Sequence, residues 1–391
     1  MKRILVVGAG YAGSIIAREL ADSGSYQVEV IDRRNHIAGN AFDPVDPESG
    51  LRIHRYGPHI FHTNDEAIFA HLSRFTEWIP YTHRVEAYVE GVGHVPLPIN
   101  RTTLNRLFGL DLKTDEDVRT YLEGIRCRHD HPRNAREAVE NIYGAHLTEL
   151  FYSRYSQKMW NLPLEELPAA VVARLPVRYS DESSYFSDKI QAMPAHGYET
   201  MFQNMLDHPR IQVRVSTEFD RAREGEYHHI FNSMPIDVYF NLAHGPLPYR
   251  SIKFKHERIP GHQQPTPTVN LTDTGPVTRR TDWRLYPGCG TRSDYAVVTS
   301  EYPCSYEDND HERYYPVKTV SGEPQERYKR YQQMATALEH MTFIGRCGQY
   351  VYFDMHQVVA NSLMLAKRFL QREAAGEAIG ATRATAPPQP A

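Results

Sequence analysis

A glycine-rich turn between two short apolar runs constrains the fold of this chain more than any other feature. Residues 3–7 read Arg-Ile-Leu-Val-Val, which is typical of a buried parallel strand. Residues 8–13 follow as Gly-Ala-Gly-Tyr-Ala-Gly, and the residues after them have the apolar spacing of a helix. A second apolar run at residues 27–31 ends at Asp32. The order strand, glycine turn, helix and strand predicts a β-α-β unit.

The three glycines of this turn have separate tasks in a dinucleotide site. Gly8 allows the tight turn, Gly10 lets the backbone approach a pyrophosphate, and Gly13 lets the helix lie close to the strand. The N-terminus of the helix favours the negative charge of the ligand. Asp32 stands where an acid holds a ribose hydroxyl. We therefore expect a Rossmann-like dinucleotide-binding domain.

The residues leave the choice of dinucleotide open but favour FAD. Arg33 directly follows Asp32, and an arginine there accommodates the 2′-phosphate of NADP. A second glycine turn at Gly39-Asn40 suits a longer ligand that lies over the sheet, as FAD does. Late in the chain, a strand that ends in Gly345-Arg346 before the last helix is typical of flavoproteins that close over the flavin pyrophosphate.

Composition and charge exclude several other classes of protein. The 391 residues predict two or three domains, and the net charge of −4 excludes a generally basic surface for nucleic acid. We expect no membrane span, because no run approaches the roughly 18 apolar residues that one needs. Four widely separated cysteines favour free thiols in a reducing cytosol over disulfides or a metal site. Met1 leads directly into a strand, so we expect no signal peptide and a cytoplasmic location.

Apolar spacing further along the chain predicts an α/β protein with two additional parts. Helical spacing dominates residues 102–178, and β-like runs between Pro and Gly clusters dominate residues 249–302. A helix at 324–341, a strand at 342–345 and a last helix at 355–373 follow. We expect a Rossmann-like FAD-binding domain with an inserted helical domain and a twisted antiparallel β-sheet domain. The predicted boundaries are 1–78, 188–235 and 335–373 for the discontinuous FAD-binding domain, 100–178 for the helical domain, 79–99, 179–187 and 236–334 for the sheet domain, and 374–391 for a disordered tail.

Six short segments recur in the order that one enzyme family has. They are Tyr-Gly-Pro-His-Ile-Phe-His-Thr at 56–63, Leu-Pro-Ile-Asn at 97–100, Tyr-Ser-Gln-Lys-Met-Trp at 155–160, Arg-Leu-Pro-Val-Arg at 174–178, Tyr-Tyr-Pro-Val at 314–317 and Tyr-Phe-Asp-Met at 352–355. With them the chain resembles the bacterial UDP-galactopyranose mutases, from Val6 to about Phe369. The resemblance implies a non-redox flavoenzyme.

The resemblance also implies a reaction. Members of the family interconvert UDP-galactopyranose and UDP-galactofuranose, the sugar nucleotide of cell wall galactofuranose. The anomeric carbon of the sugar forms a covalent adduct with N5 of reduced FAD, the ring opens and recloses, and UDP returns. An external reductant such as NAD(P)H keeps the flavin reduced. The family further implies a homodimer or a higher homo-oligomer.

The site residues that follow are implied by the resemblance. Catalytic roles fall to Arg174, Arg279, His59 and His62, with both arginines on the substrate diphosphate. The implied cofactor-binding residues are Gly8, Gly10, Tyr11, Ala12, Gly13, Asp32, Arg33, Gly39, Asn40, Gly57, His59, Ile60, Arg346, Tyr352, Asp354 and Met355. The implied substrate-binding residues are His83, Phe151, Tyr155, Trp160, Arg174, Tyr185, Phe186, Asn270, Arg279, Tyr314, Tyr315 and Tyr352. Neighbouring strand residues face opposite ways, so we expect only one of Tyr314 and Tyr315 to contact ligand.

The chain departs from the family pattern in places. After Arg279 it has Arg280, a rival for the same role, and then Asp282, a candidate replacement for a glutamate that the family usually has nearby. His83 stands where many members have asparagine. Arg174 follows a connector bounded by prolines, which predicts a lid that closes over the diphosphate.

Other functions fit parts of the sequence. The first alternative is a FAD-dependent oxidase or dehydrogenase of an amine or alcohol, which shares the glycine fingerprint but has no need of two arginines on a diphosphate. The second is an NAD(P)-dependent dehydrogenase, which the turns at Gly39 and Gly345 disfavour. The third is a flavin-binding protein without catalysis. Within the resembling family, a branch prefers the N-acetylated sugar, and His59 weakly favours plain galactose.

Overall fold

The computed structural model describes residues 1–172, 176–291 and 294–376. The strands in these residues form three sheets. They are β1 (Lys2–Val7), β2 (Tyr26–Ile31), β3 (Phe61–Thr63), β4 (Trp78–Pro80), β5 (Val85–Val89), β6 (Gly93–Leu97), β7 (Ile190–Pro194), β8 (Ile211–Arg214), β9 (His229–Asn232), β10 (Tyr249–Pro260), β11 (Thr268–Leu271), β12 (Arg279–Asp282), β13 (Tyr295–Ser305), β14 (Tyr315–Pro316) and β15 (Met341–Phe343).

The α-helices lie between these strands and cover their faces. They are α1 (Tyr11–Asp22), α2 (Glu66–Ser73), α3 (Arg101–Phe108), α4 (Asp115–Ile125), α5 (Ala135–Leu147), α6 (Arg154–Trp160), α7 (Gly197–Leu206), α8 (Ile236–Tyr239), α9 (Glu323–Ala335), α10 (Gly345–Gln349) and α11 (Met355–Ala375). No helix within the described ranges has both the length and the apolar character that crossing a membrane requires.

The first sheet is parallel and contains the predicted β-α-β unit. Its strand order is β15-β9-β1-β2-β8, and every neighbouring pair is parallel. One face packs against α1 and α11 through residues such as Ile4, Val6 and Phe369, and the other is covered by a cluster around Leu5 and Tyr239. Burial on both faces explains why β1 and β2 are continuous apolar runs. The Rossmann-like α/β architecture is thereby confirmed.

The second sheet has seven strands in the order β14-β10-β13-β12-β11-β5-β6. All pairs are antiparallel except β5 and β11, which run parallel. One pair of strands in the sheet predicted to be antiparallel therefore runs parallel. The β5–β6 hairpin comes from a part of the chain far before β11, so no short turn sets their relative direction.

The remaining parts connect the two large sheets. A small antiparallel sheet has the order β3-β7-β4. Helices α3 to α5 pack on the β5–β6 hairpin in a cluster that includes Leu104, Val118, Tyr143 and Leu147. The strands of the parallel sheet come from the three segments predicted to form the dinucleotide-binding domain. The division into three domains itself stays a prediction.

Two element boundaries differ from the prediction. The helix predicted at 324–341 ends at Ala335, because Met341 pairs with Ile230 at the start of β15. The last helix continues to Ala375, two residues into the segment predicted to be a disordered tail. Residues 377–391 of that segment lie outside the described residues.

Candidate functional site

The glycine turns of the chain meet at the carboxyl end of the parallel sheet. Gly8 has a φ of 101°, and a Cβ there would lie 2.0 Å from Ser233 Oγ. Gly345 has a φ of 68°, and a Cβ there would lie 3.2 Å from the Ala12 Cβ and 3.8 Å from the Ser233 Cβ. Only glycine adopts these angles without strain in such close contact. The glycine turns at Gly8 and Gly345, far apart in the chain, therefore share one side of a single cradle.

The second glycine turn closes the cradle from another side. A Cβ on Gly39 would lie 2.9 Å from the Gly10 Cα, and a Cβ on Gly13 would lie 1.9 Å from the Gly8 carbonyl oxygen. The backbones of the turns thus approach each other with no side chain between them. Gly10 is the N-cap of α1, so the first N–H groups of that helix face the cradle without a capping side chain. This geometry fits a pyrophosphate.

Asp32 ties the cradle to the end of β2. Its Oδ2 accepts a hydrogen bond from the Ala9 N–H at 2.8 Å, and its Oδ1 accepts one from the Arg34 N–H at 2.9 Å. Arg34 donates to Asn40 Oδ1 at 2.9 Å, beside the second glycine turn. Arg33, predicted to bind cofactor, pairs with Glu312 at 2.7 Å. The acid that we expected at a ribose therefore also orders the backbone of the glycine turn.

Other predicted cofactor residues surround the cradle in different ways. Tyr11 and Ile60 are 8% and 7% exposed and lie in the hydrophobic core. Asp354 is the N-cap of α11, and its N–H donates to Gln357 Oε1 at 2.9 Å. Met355 packs against the same core as Tyr11.

Arg346 faces the site from the helix after Gly345. Its Nε donates to the Phe353 carbonyl oxygen at 2.9 Å, and its guanidinium carbon lies 4.6 Å from the centre of the Tyr352 ring. The hydrogen bond to the carbonyl oxygen and the ring contact together hold this positive charge beside Tyr352.

A row of polar side chains crosses the seven-stranded sheet next to the cradle. Arg279 of β12 lies directly opposite Asn270 of β11 and Glu301 of β13. Its Nε donates to Glu301 Oε1 at 2.9 Å, and the Glu301 side chain is 2% exposed. The next residue, Arg280, is exposed. Because neighbouring strand residues face opposite ways, one arginine of this pair faces the site and the other faces solvent.

Arg279 carries a permanent positive charge. Burial acts to lower the pKa of its guanidinium, but Glu301, Tyr155 and Tyr315 hold that pKa well above the usual value. A charged donor on the floor of a shielded pocket is suited to an anionic group such as a diphosphate.

Aromatic rings line the other side of Arg279. Tyr315 stacks on Tyr352 with ring centroids 5.6 Å apart, and Trp160 meets Tyr315 edge-on at 6.1 Å. Tyr314, by contrast, is 5% exposed and packs against Tyr56 and Phe254. The structure therefore brings Tyr315 close to Arg279 and packs the Tyr314 ring against Tyr56 and Phe254.

Two predicted histidines lie close together in the chain, His59 in the loop that precedes β3 and His62 within β3. A Cβ on Gly57 would lie 3.2 Å from Glu301 Oε1, so the loop crosses the Arg279 pair. His59 is held by a 2.8 Å contact between its Nδ1 and the Gly57 carbonyl oxygen. Burial, with Arg346 and Arg279 nearby, lowers the pKa of His59 to about 4. His62 bonds Asp188 at 2.8 Å.

Three of the predicted substrate residues form a cluster of rings next to His62. They are His83, Tyr185 and Phe186. Phe186 stacks on His62 at 3.8 Å and meets Tyr185 edge-on at 5.2 Å. His83 is 3% exposed, 5.7 Å from Tyr185 and 6.0 Å from Phe186 between ring centroids. Burial, together with Arg279 and His62, lowers the pKa of His83 to about 3. His83 is thus a neutral ring at physiological pH.

Replacing His83 by asparagine should flatten the pH dependence of stability. The folded-state pKa of His83, about 3, lies below its ordinary value of 6.5, so stability is full above pH 6.5 and falls as the pH drops towards 3. Between pH 7 and pH 5 this one group should lower the free energy of unfolding by about 2 kcal/mol. Urea unfolding of the wild type and His83→Asn at both pH values measures the difference. Equal losses in the two proteins would contradict the prediction.

Phe151 and Tyr155, both predicted to bind substrate, have different surroundings in the helical part. Phe151 is 8% exposed and lies in the core that covers the β5–β6 hairpin, whereas Tyr155 is close enough to act on the charge of Arg279. Lys158 holds α6 in place, because its Nζ donates to the carbonyl oxygens of Leu271 and Val277 at 2.8 and 2.9 Å.

Some expectations are corrected or fall outside the structure. Asp282 is fully buried and bonds the Arg284 N–H at 3.0 Å and its guanidinium at 2.7 Å. It caps a short helical turn and does not replace a site glutamate. Arg174 lies outside the described residues, so its role and the lid stay predictions.

Sequence reasoning missed Glu301 and Asp188, the carboxylate partners of Arg279 and His62. An isolated glutamate in a strand and an isolated aspartate after Phe186 carry no motif. Only the register of β12 and β13 brings Glu301 to Arg279, and only the tertiary fold brings Asp188 to His62.

Comparisons with known proteins show which family the chain belongs to. A family model described as UDP-galactopyranose mutase matches residues 150–352, and one described as an NAD(P)-binding Rossmann-like domain matches residues 6–75. A probable UDP-galactopyranose mutase of Klebsiella pneumoniae is 35% identical over 370 residues, 94% of this chain and 95% of that protein. A dTDP-fucopyranose mutase of Escherichia coli is 32% identical over 380 residues, 95% of this chain and 99% of that protein.

The fold is shared with a solved structure. The crystal structure of a reduced UDP-galactopyranose mutase matches with a TM-score of 0.75 at 15% identity, over 95% of this chain and 94% of that one. The first family model covers more than half of the chain, and the relatives match nearly all of it. The chain belongs to the UDP-galactopyranose mutase family.

Proposed function

We propose that this enzyme interconverts UDP-galactopyranose and UDP-galactofuranose, through a covalent bond between the anomeric carbon of the sugar and N5 of reduced FAD. The observation that carries the proposal is the placement of Arg279. Its charged guanidinium lies between a buried carboxylate and an aromatic wall, on the row that adjoins the loop of Gly57 and His59. A nucleotide-sugar diphosphate needs such a charge, whereas an amine or alcohol does not.

FAD is the proposed cofactor because the second and the last of the three glycine turns extend the cradle beyond the first turn. The extended cradle suits a long ligand that lies over the sheet. Gly8 and Gly10 would face its pyrophosphate, and Gly39 and Gly345 would border it on two further sides. When bound and reduced, the flavin supplies the nucleophile of the reaction. The protein supplies the orientation and the charge.

Arg279 would act on the leaving group of the sugar. As the bond between the anomeric carbon and the diphosphate breaks, negative charge grows on the diphosphate oxygens, and a fixed guanidinium stabilises it. Glu301 holds the guanidinium in one orientation through Nε, which leaves the remaining donors free to point elsewhere. Asn270, opposite on the neighbouring strand, and the hydroxyl of Tyr315 would complete the polar contacts with the substrate.

The histidines would bind and orient rather than exchange protons. With pKa values lowered to about 4 and about 3, His59 and His83 stay neutral across the physiological range. Each can donate or accept a hydrogen bond through one ring nitrogen without adding charge beside the Arg279 guanidinium. The aromatic rings around His83, Tyr185 and Phe186, would exclude water and offer faces to the uracil or the sugar.

Incubation with candidate sugar nucleotides tests the proposal. The purified protein should be yellow, release FAD on denaturation, and with dithionite convert UDP-galactofuranose to UDP-galactopyranose, followed by chromatography. dTDP-fucofuranose and the N-acetylated UDP-sugar in parallel separate the related mutase activities, since one relative is a dTDP-fucopyranose mutase. Consumption of an amine or alcohol with net flavin reduction, and no sugar conversion, would favour the oxidase alternative instead.

Assembly and location stay predictions. A homodimer follows from the family resemblance, and a cytoplasmic location from the free thiols. The reductant of the flavin is predicted to be NAD(P)H. Light scattering of the purified protein would test the homodimer. Assays with NADH and NADPH in place of dithionite would test the reductant.

A further inference from the structure

A single carboxylate holds both arginines that follow the acid at the end of β2. Glu312 Oε1 accepts from Arg33 Nη2 at 2.7 Å, and Glu312 Oε2 pairs closely with Arg34 Nη2. The side chains of Arg34 and Glu312 are 16% and 21% exposed, so solvent only partly screens their interaction. Glu312 comes from the connection between β13 and β14, far along the chain from β2.

Arg34 has further contacts that leave it little freedom. Its Nη1 donates to Asn40 Oδ1 at 2.9 Å, and its guanidinium carbon lies 4.3 Å from the centre of the Tyr56 ring. The Tyr56 hydroxyl in turn bonds His36 Nε2 at 2.8 Å. One face of the Arg34 guanidinium therefore lies against the Tyr56 ring, and two of its nitrogens already bind Asn40 and Glu312.

The fold also fixes the position of Glu312. The next residue, Arg313, pairs with Asp237 at 2.7 Å, and the two side chains are only 6% and 0% exposed. Three residues earlier, Asn309 donates to Ser251 Oγ at 2.9 Å, and its carbonyl accepts from the Glu312 N–H at 2.8 Å. Anchors on both sides thus direct the Glu312 carboxylate towards the arginines.

The end of β2 is where Rossmann-like sites distinguish dinucleotides. An acid there binds the adenosine ribose, and a nearby arginine accommodates a 2′-phosphate. We propose that Glu312 sets the dinucleotide preference of this site: it occupies the guanidinium groups of the two arginines that follow Asp32 and adds a negative charge next to them, which excludes adenosine nucleotides that carry a 2′-phosphate. The inference rests on the proposed dinucleotide site and specifies which members of that ligand class it accepts.

Two ligands that differ only in the 2′-phosphate test the inference. Full-length, flavin-free protein is titrated with ADP-ribose and with 2′-phospho-ADP-ribose, and only binding that excess FAD displaces is counted. The wild type should bind ADP-ribose more tightly. Glu312→Gln should shift the ratio of the two affinities towards the phosphorylated ligand by about tenfold or more, because freed guanidinium groups gain charged hydrogen bonds. Glu307→Gln removes the same charge from an exposed position of the same connection and should leave the ratio unchanged.

Each outcome decides the matter. An unchanged ratio in a folded Glu312→Gln protein overturns the inference and leaves the dinucleotide site intact. A wild type with no ADP-ribose binding that FAD displaces overturns the site and the inference together. If Glu312→Gln does not fold, Arg33→Ala serves, since the Arg33 side chain is 47% exposed. Because Glu312 already occupies Arg33, this variant should not change the ratio, and selective weakening of 2′-phospho-ADP-ribose would contradict the inference.

Discussion

Arg279→Ala is expected to lower kcat/KM for UDP-galactofuranose by about 30- to 1000-fold. Loss of a charged hydrogen-bonding partner to the diphosphate corresponds to about 2–4 kcal/mol of transition-state stabilisation. Arg280→Ala is the matched control, because the same substitution one residue further on β12 removes an exposed charge and should change kcat/KM by less than about threefold. A crippling Arg280→Ala with a tolerated Arg279→Ala would reverse the roles assigned here.

Stability has to be separated from activity in this comparison. Arg279→Ala leaves the Glu301 carboxylate buried with its charge unpaired, which is destabilising in its own right. The double variant Arg279→Ala/Glu301→Gln removes both charges and should recover part of the unfolding midpoint. If the double variant is stable and still inactive, the lost activity comes from the missing guanidinium in the site. Recovery of activity along with stability would show that the arginine has only a structural role.

Conversion of UDP-galactofuranose should require reduced flavin. The proposed bond to the anomeric carbon needs an electron pair on N5, and oxidised flavin does not offer that pair as a nucleophile. Anaerobic enzyme with dithionite should turn over, and the same preparation in air without reductant should convert no more than a protein-free blank. Chromatography of both samples measures the difference, and a second addition of dithionite to the oxidised sample should restore the activity.

Equal turnover by oxidised enzyme would rule out the proposed covalent step and leave the mutase activity itself standing. Treatment of the reduced enzyme and substrate with cyanoborohydride gives an independent readout, since a trapped flavin–galactose product adds the mass of the sugar to the flavin. The Arg279→Ala protein is a useful comparison. It should still bind FAD that dithionite can reduce, because Arg279 lies on the seven-stranded sheet and the glycine cradle lies on the parallel sheet.

The sequence by itself determined the glycine cradle and the family. Gly8 and Gly13 leave no room for a Cβ at their contacts, so a short stretch of chain specifies the turn. The apolar runs of β1 and β2 specify a sheet buried on both faces in the same local way.

Tertiary structure decided which polar side chains meet. Whether Tyr314 or Tyr315 faces the site depends on the register of β14 against β10, and the parallel contact of β5 with β11 depends on how the helical part is inserted. Glu301 and Glu312 find their arginine partners only across strands and connections distant in the chain. Asp282 carries the same charge as those glutamates, yet it caps its own turn. A local sequence pattern predicts the backbone conformation of the residues within it. The partner of a buried charge depends on how elements distant in the chain pack together, which no local pattern contains.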